Sequence, residues 1–254
     1  MSFAIVLESL KFYKLKHETT VRLWFVVLYA LNILIFFLPF VDTDFSDFYY
    51  FLNDFLSNGK TSLSLTDVMT AGNWLFIGFS LSLNLINAFF SLMYATLFIG
   101  ERTGMTAGQA ALRSLSAAGR LILLGLLLLV PALLSAYLLF MPVIVFAFMM
   151  YFMPLSLTIE RQKMPEAMHS SYQSTRRQKL FIFLQVVLLS MIISIPRGLI
   201  LRLIPMSLIP TAIVSTFFTV MQAFMQARLM GFLYMLLVIK DQSVLPSKAN
   251  KEND

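Results

Sequence analysis

The 254-residue chain is 59% hydrophobic and 13% charged, and no charge-rich stretch is long enough to hold a soluble domain, so a soluble enzyme or carrier is excluded. The absence of cysteine removes disulfides, zinc–thiolate sites, thiol catalysis and thiol redox sensing together. The formal charge of +6 is spread over the segments between apolar runs, which points to anionic lipid headgroups and topology control and not to nucleic acid.

Residues 1–22 open with an amphipathic helix over 3–18. Phe3, Val6, Leu7, Leu10 and Tyr13 recur at helical spacing, and Glu8, Lys11, Lys14 and Glu18 take another face. Such a helix suits the plane of the membrane interface. The basic region continues to Arg22 and no small-x-small cleavage site follows, so the first span is expected to be retained. That span is 23–40, stopped by Pro39 and Asp42.

The loop 41–73 is acidic and aromatic. Asp42, Asp44, Asp47, Asp54 and Asp67 face a single Lys60, and Phe48, Phe51, Leu52, Phe55 and Leu56 form one helical stripe that fits an interfacial belt. The aspartates lack the glycine and terminal glutamate of an EF-hand loop, so no metal is expected there. Span two, 74–99, contains Asn84 and Asn87, three residues apart and expected to point at other helices.

Thr106-x-x-Gln109 reads as a capping box opening an amphipathic cytoplasmic helix over 104–120, with Arg113 and Arg120 on its polar stripe. Span three, 121–140, carries Pro131. Met141-Pro142 reads as a tight turn into span four, 142–159, with Pro154 near its end. Pro165 sits in the first turn of a further amphipathic helix over 164–179, which places Glu166, His169, Gln173 and Arg176 on one face. Span five, 180–195, is expected to break at Pro196. Arg197 and Arg202 follow. Span six, 208–239, is 32 residues and about 48 Å long at the helical rise, more than a hydrocarbon core of roughly 30 Å. The tail is 240–254.

With the N-terminus in the cytoplasm, the inner segments hold fifteen Lys and Arg against three outside (Lys60, Arg197, Arg202), with Arg228 inside span six. The expected fold is therefore all-α: a polytopic integral membrane protein of six transmembrane helices, both ends cytoplasmic, with amphipathic interfacial helices preceding the helix pairs. A shift of 57 residues superposes Gln109-Ala110 on Glu166-Ala167, Ser114-Leu115 on Ser171-Tyr172 and Arg120 on Arg177. An internal repeat is expected, with Glu8-Ser9-Leu10 as a worn third copy.

Three stretches carry a resemblance: Thr106-Ala-Gly-Gln-Ala-Ala-Leu-Arg-Ser-Leu, then Gly119-Arg120 with its leucine-rich span, then Glu166-Ala-Met-His-Ser-Ser-Tyr-Gln-Ser-Thr-Arg-Arg. Over roughly 100–195 the chain resembles a bacterial membrane superfamily: the membrane domain that accompanies some glycerophosphodiester phosphodiesterases and the related stand-alone YciC-like proteins. The resemblance implies a six-helix bacterial cytoplasmic-membrane protein. It carries no phosphodiesterase activity over, because that domain is missing from the sequence.

No catalytic constellation is visible. Glu166 and His169 have the Glu-x-x-His spacing of a diiron site, but no second pair exists. There is no Gly-x-Ser-x-Gly and no phosphate loop. No Asp or Glu falls inside an expected span, which argues against a proton-driven carrier. The polar residues at depth are Asn32, Asn84, Asn87, Gln185, Gln222, Gln226 and Arg228. Gln222 and Gln226 share a helix face, and Arg228 lies about 160° from Gln226. An arginine at depth meets an anion, a carbonyl or a water-filled cavity; a lipid phosphate, Glu101 and Glu160 are the candidates for Arg228. The candidate lipid, anion or polar-pathway set is thus Arg228, Gln222, Gln226, Asn84, Asn87, Arg197 and Arg202, with no cofactor and no metal. The expected role is non-enzymatic: an envelope or assembly factor, or the membrane partner of another component or of a second copy. Translocation of a lipid or amphiphile is the competing role, and an intramembrane enzyme comes third.

Overall fold

The computed structural model describes residues 2–59, 64–135, 141–204 and 207–241. Among them every regular element is helical: α1 (Ser2–Leu10), α2 (Glu18–Leu34), α3 (Ser46–Asn58), α4 (Leu65–Val68), α5 (Ala71–Gly100), α6 (Ala107–Ser135), α7 (Met141–Met149), α8 (Met153–Thr158), α9 (Met164–Thr175), α10 (Lys179–Leu203) and α11 (Leu208–Tyr234). Five stretches are long and apolar enough to cross a membrane: Glu18–Phe37, Ala71–Thr103, Ala107–Leu127, Lys179–Leu203 and Leu208–Ile239. The protein is an all-helical, multi-pass membrane protein.

α11 is the hub. It packs along α5 and α10 and touches α2 and α1. From Val220 onward its buried residues (Phe224, Met225, Ala227, Arg228, Leu229 and Gly231 to Tyr234 among them) point in every direction, the pattern of a helix enclosed on all sides. Gly231 permits a close approach of α11 to α5, because a Cβ there would lie 2.6 Å from Phe98 Cδ1 on α5. Phe98 and Phe232 meet edge-to-face with ring centroids 4.8 Å apart. The helix ends in a wide turn over Met235–Ile239.

α1 departs from the expected interfacial helix over 3–18. It stops at Leu10 and packs against α10 and α11, burying Ile5, Val6 and Ser9. Phe3, Leu7 and Tyr13 of the expected stripe are exposed. The reason is tertiary: the junction 11–17 folds over the end of the bundle, and Phe12 packs between Phe25 and Phe224.

α2 and the 3-10 turn Ile35–Phe37 end at Leu38, whose extended backbone suits a residue before proline. The start of α5 is tied to the outer loop. Thr70 Oγ1 accepts from the Asn73 N–H at 3.1 Å, and Asn73 Nδ2 donates to the carbonyls of Asp42 (3.1 Å) and Asp44 (2.8 Å). The expected stripe of the loop lies on α3, which packs on α4 and leaves Leu52, Phe55 and Leu56 exposed.

Three other expectations are revised. The helix over 104–120 and span three are one helix, α6, running through Gly119 and Pro131, because no residue between them supplies a stop; its Thr106–Gln109 capping box is present at 3.0 and 3.3 Å. The expected span 142–159 is two short helices, α7 and α8. The gap precedes Pro154, whose ring nitrogen has no proton to give, and α9 repairs it: Ser171 Oγ donates to Met149 O (2.9 Å) and accepts from the Phe152 N–H (3.2 Å), while Thr175 Oγ1 also donates to Met149 O (3.2 Å). Finally, α10 passes through Pro196 and continues to Leu203. A proline at that point forfeits one backbone bond without stopping a long apolar helix. The expected tight turn at Met141-Pro142 is instead the first turn of α7, where a proline is tolerated because its missing N–H has no partner there anyway; residues 136–140 and the tail beyond Asp241 lie outside the described residues.

The two segments superposed by the 57-residue shift share two buried positions, Ala110 and Ser114 in one and Ala167 and Ser171 in the other. The expected polar face of α9 (Glu166, His169, Gln173, Arg176) is exposed.

Because Gly231 meets an aromatic ring that is itself packed between α5 and α11, Gly231→Val is expected to lower stability by about 1–3 kcal/mol, the usual cost of overpacking. Thermal unfolding in detergent measures this. Gly119→Ala, where a Cβ meets nothing within 4 Å, is the neutral control.

Candidate functional site

Two places gather polar groups inside the bundle. The first is Arg228 on α11, which is 5% exposed. Its Nη1 donates to Lys14 O at 2.9 Å and to the Tyr94 hydroxyl at 3.3 Å. The Tyr94 hydroxyl in turn donates to Phe12 O at 2.6 Å. The guanidinium carbon lies 4.9 Å from the centre of the Phe98 ring and 5.5 Å from that of Phe232. Two carbonyl-bearing residues of the 11–17 junction are thus held from inside the bundle, one directly and one through Tyr94. Ring faces and neutral oxygens carry the charge, an arrangement worth more where water is excluded. Arg228 Nε is buried with no hydrogen-bond partner among the described residues.

The expected carboxylate partners of Arg228 are used elsewhere. Glu101 Oε1 accepts from the His17 N–H at 3.2 Å, and Glu160 Oε1 accepts from the Tyr234 hydroxyl. The ion pairs among the described residues are Lys11–Glu8, Arg22–Glu18 and Arg102–Asp241, none of which includes Arg228. Exposed pairs of this kind contribute little to stability.

The second place is a cavity of about 710 Å³ between α5, α6, α8, α10 and α11. Phe89, Leu92, Leu121, Gly125, Val186 and Met230 typify its wall, and no residue lining it is charged. Its polar groups are Ser91, Tyr151 and Gln226. Ser91 Oγ donates to Ala223 O at 3.3 Å, and Gln226 Nε2 donates to Ser190 Oγ at 3.4 Å, so both are partly satisfied by neighbouring helices. Leu85 and Ile122 on the rim are 68% and 62% exposed, so the cavity opens sideways between α5 and α6.

The remaining residues of the expected set are dispersed. Gln222 is half-buried one turn before Gln226 and does not line the cavity. Asn87 is buried and exchanges two hydrogen bonds with Asn32 of α2, at 2.9 and 3.0 Å. Asn84 does not share that contact: three residues turn a helix by 300°, and the 60° deficit places it on the exposed side of α5. Arg197 Nη2 donates to Ser215 Oγ at 2.6 Å, joining α10 to α11, and Arg202 is exposed. Tyr94, Ser91, Ser190 and Tyr151 carry no sequence signal, because each acquires its role from a helix more than thirty residues away. Among the described residues no group of three or more His, Asp or Glu is placed to hold a metal ion.

These features define a helical membrane protein with an uncharged lateral cavity and a buried, carbonyl-bound arginine. No protein-family model, curated protein or solved structure matches the chain.

Arg228→Met removes the donor to Lys14 O in a part-buried hydrogen bond, and a hydrogen bond made by a charged group contributes about 1.5–3 kcal/mol. The variant is expected to melt earlier than the parent, and Arg228→Lys to fall between them. Because the chain has no cysteine, Lys16→Cys reports directly on the junction. Its maleimide labelling is expected to accelerate in the Arg228→Met background.

Proposed function

We propose that this protein is a non-enzymatic component of a bacterial cytoplasmic membrane that holds the hydrocarbon chain of a lipid or other amphiphile in its lateral cavity. The cavity is the observation that carries this reading. About 710 Å³ falls in the range of small-molecule sites, which is roughly 300–1,000 Å³. Its wall is apolar, its few polar groups are neutral, and its mouth faces the hydrocarbon of the bilayer. A charged or strongly polar substrate would lose its hydration there without compensation, whereas an acyl chain loses nothing. Ser91, Tyr151 and Gln226 are the groups available to a glycerol ester or hydroxyl that follows the chain inward.

The resemblance over 100–195 and the excess of Lys and Arg in alternate loops support a bacterial inner membrane with both termini cytoplasmic. In that orientation the α6 start and the α8–α10 connections present Arg113, Arg161, Lys163, Arg176 and Arg177 to the anionic leaflet surface. The buried Ala and Ser positions common to 109–120 and 166–177 support the repeat. The lipid would be held, or passed along, between the copies. A role as membrane partner in envelope assembly is compatible with holding a lipid and requires no catalytic group.

Gly125→Phe tests the reading. A Cβ at Gly125 meets nothing within 4 Å, and the residue lines the cavity, so the ring can enter it without displacing neighbours. Native mass spectrometry of the parent, released from nanodiscs, is expected to show retained lipid. The variant is expected to retain at least fivefold less with its melting temperature preserved. Equal retention in both would refute the cavity as the binding place.

A further inference from the structure

Among the described residues, Asn84 is the one amide side chain in the middle of a span that points away from its own protein. It is exposed near the centre of the 30-residue α5 and has no hydrogen bond to any described residue. Ser82, on the same helix and also exposed, satisfies itself by donating to Gly78 O at 2.9 Å. An asparagine facing hydrocarbon leaves two N–H groups and a carbonyl unmatched, and headgroups do not reach that depth.

The chain meets this problem a second time and answers it. Three residues later on the same helix, Asn87 faces Asn32, and the two amides exchange hydrogen bonds at 2.9 and 3.0 Å. An amide is both donor and acceptor, so a second asparagine satisfies its carbonyl and one N–H, and the remaining N–H can turn to a backbone carbonyl of its own helix, as Asn32 Nδ2 does to Leu28 O at 2.8 Å. A second copy of the chain in the same membrane has α5 in the same orientation, and a two-fold axis along the membrane normal sets Asn84 opposite Asn84.

The surface around Asn84 fits such a partner. Ser80 and Ala88, one turn on either side of Asn84, are small residues that leave room for a second helix to approach. Leu81 and Leu85, 62% and 68% exposed, stand beside them as apolar contacts. We infer that α5 forms a homodimer interface centred on Asn84, in which two Asn84 side chains exchange hydrogen bonds across the two-fold axis. This goes beyond lipid binding: Leu85 and Ala88 also line the cavity, so the partner's α5 borders the cavity mouth, but the Asn84 pair needs no lipid, and the filled-cavity variant Gly125→Phe is expected to dimerise like the parent.

The cysteine-free chain allows a direct test. Single cysteines at Leu81, Leu85 and Ala88, with Leu83 and the exposed Leu199 of α10 as controls, are oxidised in native membranes and read as disulfide-linked dimer on non-reducing gels. Positions 81, 85 and 88 are expected to cross-link at least tenfold more than 83 and 199. In the Leu85→Cys background, Asn84→Leu is expected to lower the yield at least fivefold and Asn84→Gln to preserve it. Equal yields at all positions, or cross-linking strongest at 199, would overturn the interface. If Asn84→Leu fails to fold, the period of the cross-links alone decides.

Discussion

The close packing of α11 against α5 is the constraint on which the rest of this structure depends. A bilayer supplies no hydrophobic force to bring helices together, so contact area and hydrogen bonds must do so. Gly231 removes a side chain where α11 meets α5, Phe98 fills the space, and the ring then lies over the Arg228 guanidinium. One contact thus brings two backbones together and creates the electron-rich surface that tolerates a buried cation. Once Arg228 is placed, the carbonyl of Lys14 has a donor in the interior, and the N-terminal junction closes over the end of the bundle.

The same economy governs the other polar groups. Each break or kink in a helix frees backbone atoms that the hydrocarbon cannot satisfy. The break after α7 is answered by Ser171 and Thr175 of α9, so a helix with a polar outer face is also a structural plug. Asn87 is answered by Asn32, Arg197 by Ser215, and Gln226 by Ser190. Against this background an unanswered mid-span amide is an exception with a physical cost, and a cavity without charge is a place where only apolar matter is at ease.

Much of the architecture is legible in the sequence, because the bilayer converts composition into structure with few alternatives. Runs of about twenty apolar residues become spans, and three of the six expected spans appear at or near their expected limits, with a fourth running past its expected end to Leu203. The capping box at Thr106–Gln109 and the proline at the head of α9 also appear, since each depends only on neighbours within one turn. The places where sequence reasoning failed share a cause. Pro154 and Pro196 look alike in sequence, yet one sits beside a break and the other inside a continuous helix, because the outcome turns on whether another helix can offer hydrogen bonds nearby.

The candidate sites divide along the same line. That Arg228 lies in an apolar span, and that Asn84, Asn87, Gln222 and Gln226 are polar exceptions, follows from sequence alone. Their partners do not, because Lys14 is 214 residues from Arg228 and Asn32 is 55 from Asn87. By itself the sequence determined an all-helical membrane protein with basic connecting segments, since hydropathy and charge act locally against a uniform solvent. Only the tertiary structure decided which helix is central, which amide is buried and which is exposed, and where five helices leave room for a ligand. Those outcomes depend on the relative rotation of whole helices, and a 60° difference between two asparagines on one helix is enough to send one inward and the other to the lipid.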